Sequence, residues 1–374
     1  MEKDIENLLT RGVSEVIGRD ELKEKLLKGE KLRIKLGIDP TSADIHLGRA
    51  IPLLKLRDFQ EMGHQIVFIV GDFTALIGDT SDKDSERPML SKEEIEENQK
   101  TYFEQVGKII DLKKAELKYN SEWLEKLGYR EIGEQANLFS VADFIARDNI
   151  AKRLSLGKRV SLREVLYPLM QGYDSVAVEA SVELGGMDQR FNLLAGRTMQ
   201  ESYGQKPQSI ILGPLIPGLD GRKMSSSWGN TITLNLSPNE MFGKIMSMAD
   251  EYVREYFEVC TRVPMTEVEE VVSGHPRDAK LRLAFEITKM YHGDNEASSA
   301  QENFVNTFSK GGLPDDILSV EVEKGATLVD TLLEQGLVSS KTEFNRLEKA
   351  GAIKEIEPGI YKIGKHRFIH IKYR

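Results

Sequence analysis

Ile66–Val70 is a run of five consecutive β-prone apolar residues, bounded by Gly63 before it and Gly71 after it. A strand that is apolar at every position has both faces covered, as strands do in parallel sheets flanked by helices. The neighbouring segments fit the same frame. Leu32–Ile38 is a short apolar run entering a Gly/Asp/Pro/Thr turn, and Leu47–Met62 is a helical stretch stopped by Gly63. Ser91 with Glu94 predicts a capping box that opens a long helix toward Leu112. Val182–Leu184 and Ser209–Leu212 predict further strands around a helix from Asp188 to Tyr203. Strand–helix–strand order points to an α/β fold, a Rossmann-like doubly wound parallel sheet.

After residue 235 the texture changes. Ser237-Pro238-x-Glu240 is a helix start, and the chain as far as Ser309 keeps helical periodicity without convincing strands. Lys310-Gly311-Gly312-Leu313-Pro314 predicts a linker. Beyond it, Thr327–Gln335 and Ser340–Ala350 predict two short helices ended by Gly336 and Gly351, and strands follow at Ile360–Ile363 and Phe368–Ile371. The expected domains are therefore 1–235, an α/β catalytic unit with a connective insertion; 236–315, an α-helical unit; and 316–374, a linker with a small α+β module.

Composition bounds the function. With 40% hydrophobic and 30% charged residues the chain is globular, and no apolar stretch approaches a membrane span. The acidic start Met1–Glu6 lacks the apolar run of a signal peptide, and the single cysteine, Cys260, excludes an internal disulfide or a thiolate-rich zinc site. The expectation is a cytoplasmic protein without a structural metal, with Cys260 in its core. The net charge is −9, yet from Lys341 onward nine basic residues face four acids, a local asymmetry of the kind found in nucleic-acid-binding modules.

Three segments carry chemistry. In Gly37-Ile38-Asp39-Pro40-Thr41 to His46-Leu47-Gly48-Arg49, a strand ends and a helix begins whose open N–H groups suit an anion, with Gly48 allowing close approach. Gly221-Arg222-Lys223-Met224-Ser225-Ser226-Ser227 combines cations, hydroxyls and glycine in a loop suited to phosphates. Gly71–Asp79 follows the Ile66–Val70 strand, which puts Asp79 beyond the carboxyl edge of the sheet, where ligands of open α/β folds bind. Taken singly, each also fits an ordinary capped helix, a solvated serine-rich loop or a turn aspartate.

In order and spacing, these segments resemble the class I aminoacyl-tRNA synthetases with their HIGH and KMSKS signatures. Tyr167-Pro168-Leu169-Met170-Gln171-Gly172-Tyr173-Asp174 and Gly185-Gly186-Met187-Asp188-Gln189-Arg190-Phe191-Asn192 narrow the resemblance to the tyrosyl-tRNA synthetases of bacteria. Gly336-Leu337-Val338-Ser339-Ser340 and Gly364-Lys365-His366-Arg367-Phe368 resemble an S4-type RNA-binding module.

This resemblance implies that tyrosine is held by Lys35, Gly37, Asp79, Tyr167, Gln171, Asp174 and Gln189. Tyr167, Gln171 and Asp174 sit at i, i+4 and i+7, so one helix face presents all three. Asp174 would accept the phenolic hydroxyl, Asp79, Tyr167 and Gln171 would hold the α-ammonium, and Gln189 would lie near the carboxylate. It implies an ATP site made by Asp39, His46, Gly48, Arg49, Gly186, Asp188, Lys223, Met224, Ser225 and Ser226, with magnesium carried on the phosphates. Thr41, His46, Arg49, Lys83, Arg87 and Lys223 would stabilise the reacting phosphates, and Lys341, Arg346, Lys349, Lys365 and Arg367 would contact tyrosine tRNA. A homodimer with its interface near residues 120–175 is also implied.

The chain departs from the family pattern at Arg49, where HIGH has its second histidine, and at Ser226, where KMSKS has its second lysine. Thr80 and Asp82 replace a usual proline and glycine, and Lys35 stands where many relatives carry a tyrosine. The alternatives are a tryptophan–tRNA ligase and a catalytically impaired tRNA-binding paralogue.

Overall fold

The computed structural model describes residues 2–79, 90–309, 317–323, 325–364 and 367–373. Six strands form the main sheet: β1 (Glu15–Ile17), β2 (Arg33–Ile38), β3 (Gln65–Val70), β4 (Ala115–Tyr119), β5 (Val182–Gly186) and β6 (Ser209–Gly213), in the order β1-β6-β5-β2-β3-β4. All neighbours run parallel except β1, which pairs antiparallel with β6 through Val16 opposite Ile211. The sheet is therefore mixed at one edge. The doubly wound parallel sheet that the sequence predicts is formed by β2 to β6, and the added β1, at three residues, is too short to display a period.

Alternation along the strands shows why the central ones are apolar throughout. Ile66, Phe68 and Val70 join the large core under the Leu47–Glu61 helix, whereas Val67 and Ile69 face Val178, Ala180 and Trp123 on the other side. On β2, Ile34, Leu36 and Ile38 enter the same large core. The second face is covered by the Leu162–Ala177 and Arg190–Ser202 helices, which pack against each other. Gly63 ends the Leu47–Glu61 helix with φ 90°, a left-handed value that only glycine adopts at little cost.

The Ser91 capping box forms, but the long helix predicted after it is two short ones, Lys92–Gln99 and Tyr102–Gly107. The break lets Gln105 turn inward, where its side chain accepts from Ile45 N–H and donates to the Ala43 carbonyl. These tertiary bonds outweigh local helix continuity.

Five helices follow: Pro238–Ser247, Val253–Cys260, Met265–Val272, Pro276–His292 and Asp294–Ser309. The Ser237–Glu240 capping box opens the first, as the sequence predicts, and Cys260 is buried in the core. The predicted linker over 310–314 lies outside the described residues. The C-terminal module has its own core of Leu332, Val338, Phe344, Ile363, Ile369 and Ile371. Its helices Leu328–Glu334 and Lys341–Lys349 accompany a sheet of β7 (Leu318–Val322), β8 (Ile353–Glu357), β9 (Ile360–Ile363) and β10 (Arg367–Tyr373), in the order β7-β10-β9-β8. The sequence reading missed β1, β4, β7 and β8, which are edge strands with mixed polar faces. No helix among the described residues is long and apolar enough to cross a membrane.

Candidate active site

The chain runs from β2 to β3 and β4 on one side of the sheet, then crosses to β5 and β6 on the other. The strand order thus reverses between β2 and β5, and beyond their carboxyl ends lies a cavity of about 790 Å³. His46, Asp79, Asp174 and Lys223, widely separated in sequence, all line it.

One end of the cavity is built on regular elements. Tyr167, Gln171 and Asp174 project from the Leu162–Ala177 helix, as their spacing predicts. The Tyr167 hydroxyl donates to Asp39 Oδ2 at 2.8 Å. Asp174 is 4% exposed and accepts from Trp123 Nε1 at 2.8 Å and from Asn120 Nδ2 at 3.3 Å. Burial raises its carboxyl to about pKa 7, against the opposing pull of the Lys35 charge and these two donors. Asp79, just past Gly78, accepts from Gln189 Nε2 at 2.7 Å. Gly37 lines the cavity, and a Cβ there would make ordinary contact with Ile69 at 3.9 Å.

Lys35 lines the cavity, but its ammonium is turned into the helical layer. It donates to Glu183 Oε1 and Ser175 Oγ, each at 2.8 Å, and to the Gln171 carbonyl at 3.1 Å. Lys35 and Glu183 are direct cross-strand neighbours on β2 and β5, both fully buried. Such a pair resolves how a lysine stands at an apolar strand position: its charge is matched and its three N–H bonds are made. Lys35 is thus a floor residue of the cavity.

The other end is built from loops. His46 is the N-cap of the Leu47–Glu61 helix and bridges to Thr233, which ties the helix start to the strand-like segment after the Lys223 loop. A Cβ on Gly48 would press on the His46 ring at 3.1 Å, so glycine there preserves the imidazole's place. Gly48 N–H points at Met224 Sδ, 3.4 Å away. Arg49 donates to Thr41 Oγ1 at 2.7 Å and to the Tyr102 hydroxyl at 3.1 Å. Lys223 pairs with Asp188 at 2.8 Å. A Cβ on Gly186 would meet Asp188 Oδ1 at 2.6 Å, so glycine is needed beside that carboxylate.

Met224 and Ser225 are buried, and Ser226 begins a short turn through Trp228. Asn230 fastens this loop: its Oδ1 accepts from Ser225 N–H at 2.9 Å, and its Nδ2 donates to Asp220 at 2.7 Å and to the Lys223 carbonyl at 3.1 Å. Lys83 and Arg87, and with them Thr80 and Asp82, lie outside the described residues.

Sequence reasoning missed Asn120, Trp123, Glu183, Asn192, Tyr102 and Asn230. The first two follow β4, so recognising that strand would have directed attention to its carboxyl end. The rest carry no such signal: Glu183 and Tyr102 pair with residues far along the chain, Asn192 joins Gln189 three residues before it to the remote Gln171, and Asn230 bonds inside the loop it fastens.

In the C-terminal module, Arg346 and Lys349 are exposed on one helix, and Lys341 pairs with Asp330 at 3.1 Å. Arg367 is occupied structurally, donating to the Leu337 carbonyl and lying 3.7 Å from Glu343. Lys365 lies outside the described residues.

Residues 27–309 match the family model described as tRNA synthetases class I (W and Y). The chain is 44% identical to a tyrosine–tRNA ligase of Thermotoga maritima, covering 97% of this chain and 96% of that protein. It is 47% identical to one of Shewanella oneidensis over 92% of this chain and 89% of that one. In fold, it matches a C-terminally truncated mitochondrial tyrosyl-tRNA synthetase of Aspergillus nidulans with TM-score 0.69 at 21% identity, covering 82% of this chain and 94% of that one. It also matches a tyrosyl-tRNA synthetase of Archaeoglobus fulgidus complexed with L-tyrosine, with TM-score 0.64 at 23% identity, covering 80% and 100%. The fold, the cavity at the switch point and near-full-length identity agree: the chain belongs to the bacterial tyrosyl-tRNA synthetases, within the class I tRNA synthetases.

Proposed function

We propose that the chain works as a tyrosine–tRNA ligase, joining L-tyrosine to ATP as tyrosyl-adenylate and passing the tyrosyl group to the terminal adenosine of tyrosine tRNA. The observation that carries this reading is the single cavity in which Asp174 and Asp79 share walls with His46 and Lys223.

Activation needs no protein nucleophile. The ionised carboxylate of tyrosine attacks the α-phosphorus, the bond to the bridging oxygen breaks, and pyrophosphate leaves with the charge. The protein's work is alignment and charge stabilisation. Asp174 at the closed end accepts the phenolic O–H. A buried carboxylate without that partner disfavours phenylalanine strongly. Tyr167, by donating to Asp39, keeps oxygen lone pairs for the α-ammonium, and Asp79 supplies its counter-charge. His46, Thr41 and Arg49 face the phosphates, while Asp188 serves the ribose once Lys223 leaves it for the pyrophosphate.

Arg49 bonds Thr41 directly and is itself anchored on the Tyr102 hydroxyl, so arginine here preserves a donor at the phosphate side. With Ser226 as a hydroxyl donor, the cationic work of the missing lysine falls to Lys223, Arg222 and Lys83. Magnesium would be carried by the nucleotide phosphates.

The reading extends to the rest of the chain. Residues 1–235 form the catalytic unit, 236–315 a helical tRNA-binding unit, and 316–374 the S4-like module, whose Lys341, Arg346 and Lys349 contact phosphates of the tRNA. Tyr129 is 96% exposed and Val141 and Leu162 are each 72% exposed, an apolar set that supports a homodimer interface within 120–175. The cytoplasm is the expected location. Amino-acid-dependent exchange of labelled pyrophosphate into ATP, run with all twenty amino acids, tests the reading. Exchange with tyrosine alone is expected; exchange with tryptophan alone, or with none, rejects it.

A further inference from the structure

Asn192 is 1% exposed and sits on the Arg190–Ser202 helix, behind the cavity wall. Its Nδ2 donates to two glutamine carbonyls, Gln171 Oε1 at 3.0 Å and Gln189 Oε1 at 3.1 Å. A terminal amide carries two N–H groups, and both are directed at these acceptors. Its own Oδ1 is buried with no hydrogen-bond partner among the described residues. An orphaned buried carbonyl costs about 1–3 kcal/mol, which offsets much of what the two donated bonds contribute to stability.

The two glutamines face functional partners with their opposite edges. Gln189 Nε2 donates to Asp79 Oδ2 at 2.7 Å, and Gln171 Nε2 lies 3.5 Å from Glu183 Oε1. A glutamine amide is nearly symmetric in shape, so only its hydrogen bonds fix which end is oxygen. We propose that Asn192 is a positioning residue for the tyrosine α-ammonium: it holds Gln171 with its carbonyl oxygen available to the cation, and it holds Gln189 with its NH₂ on Asp79. An amide turned the other way would present N–H to a cation at position 171 and a carbonyl oxygen to the Asp79 carboxylate at position 189. Both errors act on the same charge of the substrate. This inference rests on the ligase reading above.

Asn192→Leu in the full-length chain tests it, with Asn192→Asp as the second variant, since a carboxylate also cannot donate. Three ligands are titrated: tyrosine, its deaminated analogue and ATP. The Kd for tyrosine should rise about tenfold, the loss of one well-aligned bond to a charged group. Binding of the deaminated analogue and of ATP should stay within about twofold. Unchanged tyrosine binding, or an equal loss for tyrosine and its analogue, overturns the proposal. If the leucine variant does not fold, the same ammonium-specific loss is required of Asn192→Asp. Pyrophosphate exchange by the unaltered chain separates the two levels: its absence with every amino acid removes the ligase reading, whereas exchange with an indifferent Asn192 removes only this inference.

Discussion

The two ends of the cavity are made differently. At the amino-acid end, side chains come from strands and long helices, and the polar groups are locked to protein partners before any substrate arrives: Asp174 by Trp123 and Asn120, Tyr167 by Asp39, Lys35 by Glu183. At the end proposed for the nucleotide, Lys223 stands on a loop and Arg49 in the first turn of the Leu47–Glu61 helix, and they pair with groups that a substrate would displace or share, Lys223 with Asp188 and Arg49 with Thr41. Lys223 and Asp188 retain 27% and 19% side-chain exposure, whereas Lys35 and Glu183 retain 1% and 2%. Recognition of a small aromatic amino acid calls for a rigid site with fixed bond directions. Phosphoryl chemistry calls for charges that move with the leaving group, and loops supply that motion.

Four measurements break or sharpen this contrast. Asp174→Ala should cut the kcat/KM preference for tyrosine over phenylalanine by roughly 10⁴-fold, since selectivity then loses its hydroxyl acceptor. Retained discrimination would show that the rigid end reads something else. Lys223→Ala should lower the single-turnover rate of adenylate formation by about 10²–10³, with the KM for tyrosine unchanged. A matching loss of tyrosine affinity would mean that the two ends are one unit.

The third concerns pH. The Asp174 carboxyl is raised from 3.8 to about 7 by burial, so in the free protein it is neutral below about 7 and ionised above it. The ionised form is the better acceptor for the phenol, so tyrosine affinity should rise, by about tenfold, from pH 6 to pH 8 and then level off. Stability runs the other way: the native state holds the extra proton, so this group subtracts stability as pH rises from about 4 toward about 7. Asp174→Asn should flatten both profiles, and calorimetric titration with thermal melts would register either failure. The smallest effect belongs to the exposed module. Arg346→Ala should weaken tRNA binding a few-fold and reduce the slope of log affinity against log salt by about 1, without altering adenylate formation.

The sequence made the rigid end more legible than its support. Tyr167, Gln171 and Asp174 declare themselves by helical spacing, and Ile66–Val70 declares the sheet. What holds them is written in pairs remote along the chain, such as Trp123 with Asp174 or Lys35 with Glu183, and no local period encodes such a pair. Short edge strands escaped for a related reason. Ala115–Tyr119 mixes polar and apolar positions because one side lacks a strand neighbour, so it reads as a loop until β3 is seen beside it. The helix break at Lys100–Thr101 escaped as well, since Gln105 turns inward to satisfy Ile45 and Ala43, some sixty residues upstream.

The matched charges beneath the cavity floor bear on any attempt to re-engineer the pocket for bulkier amino acids. A library that randomises Lys35 alone leaves the Glu183 side chain buried without its cationic partner, a defect of about 3–5 kcal/mol that would eliminate most clones before their selectivity could be scored. Varying both positions together, toward apolar pairs of similar bulk, removes that defect, so the useful diversity at this site lies in coupled rather than single changes.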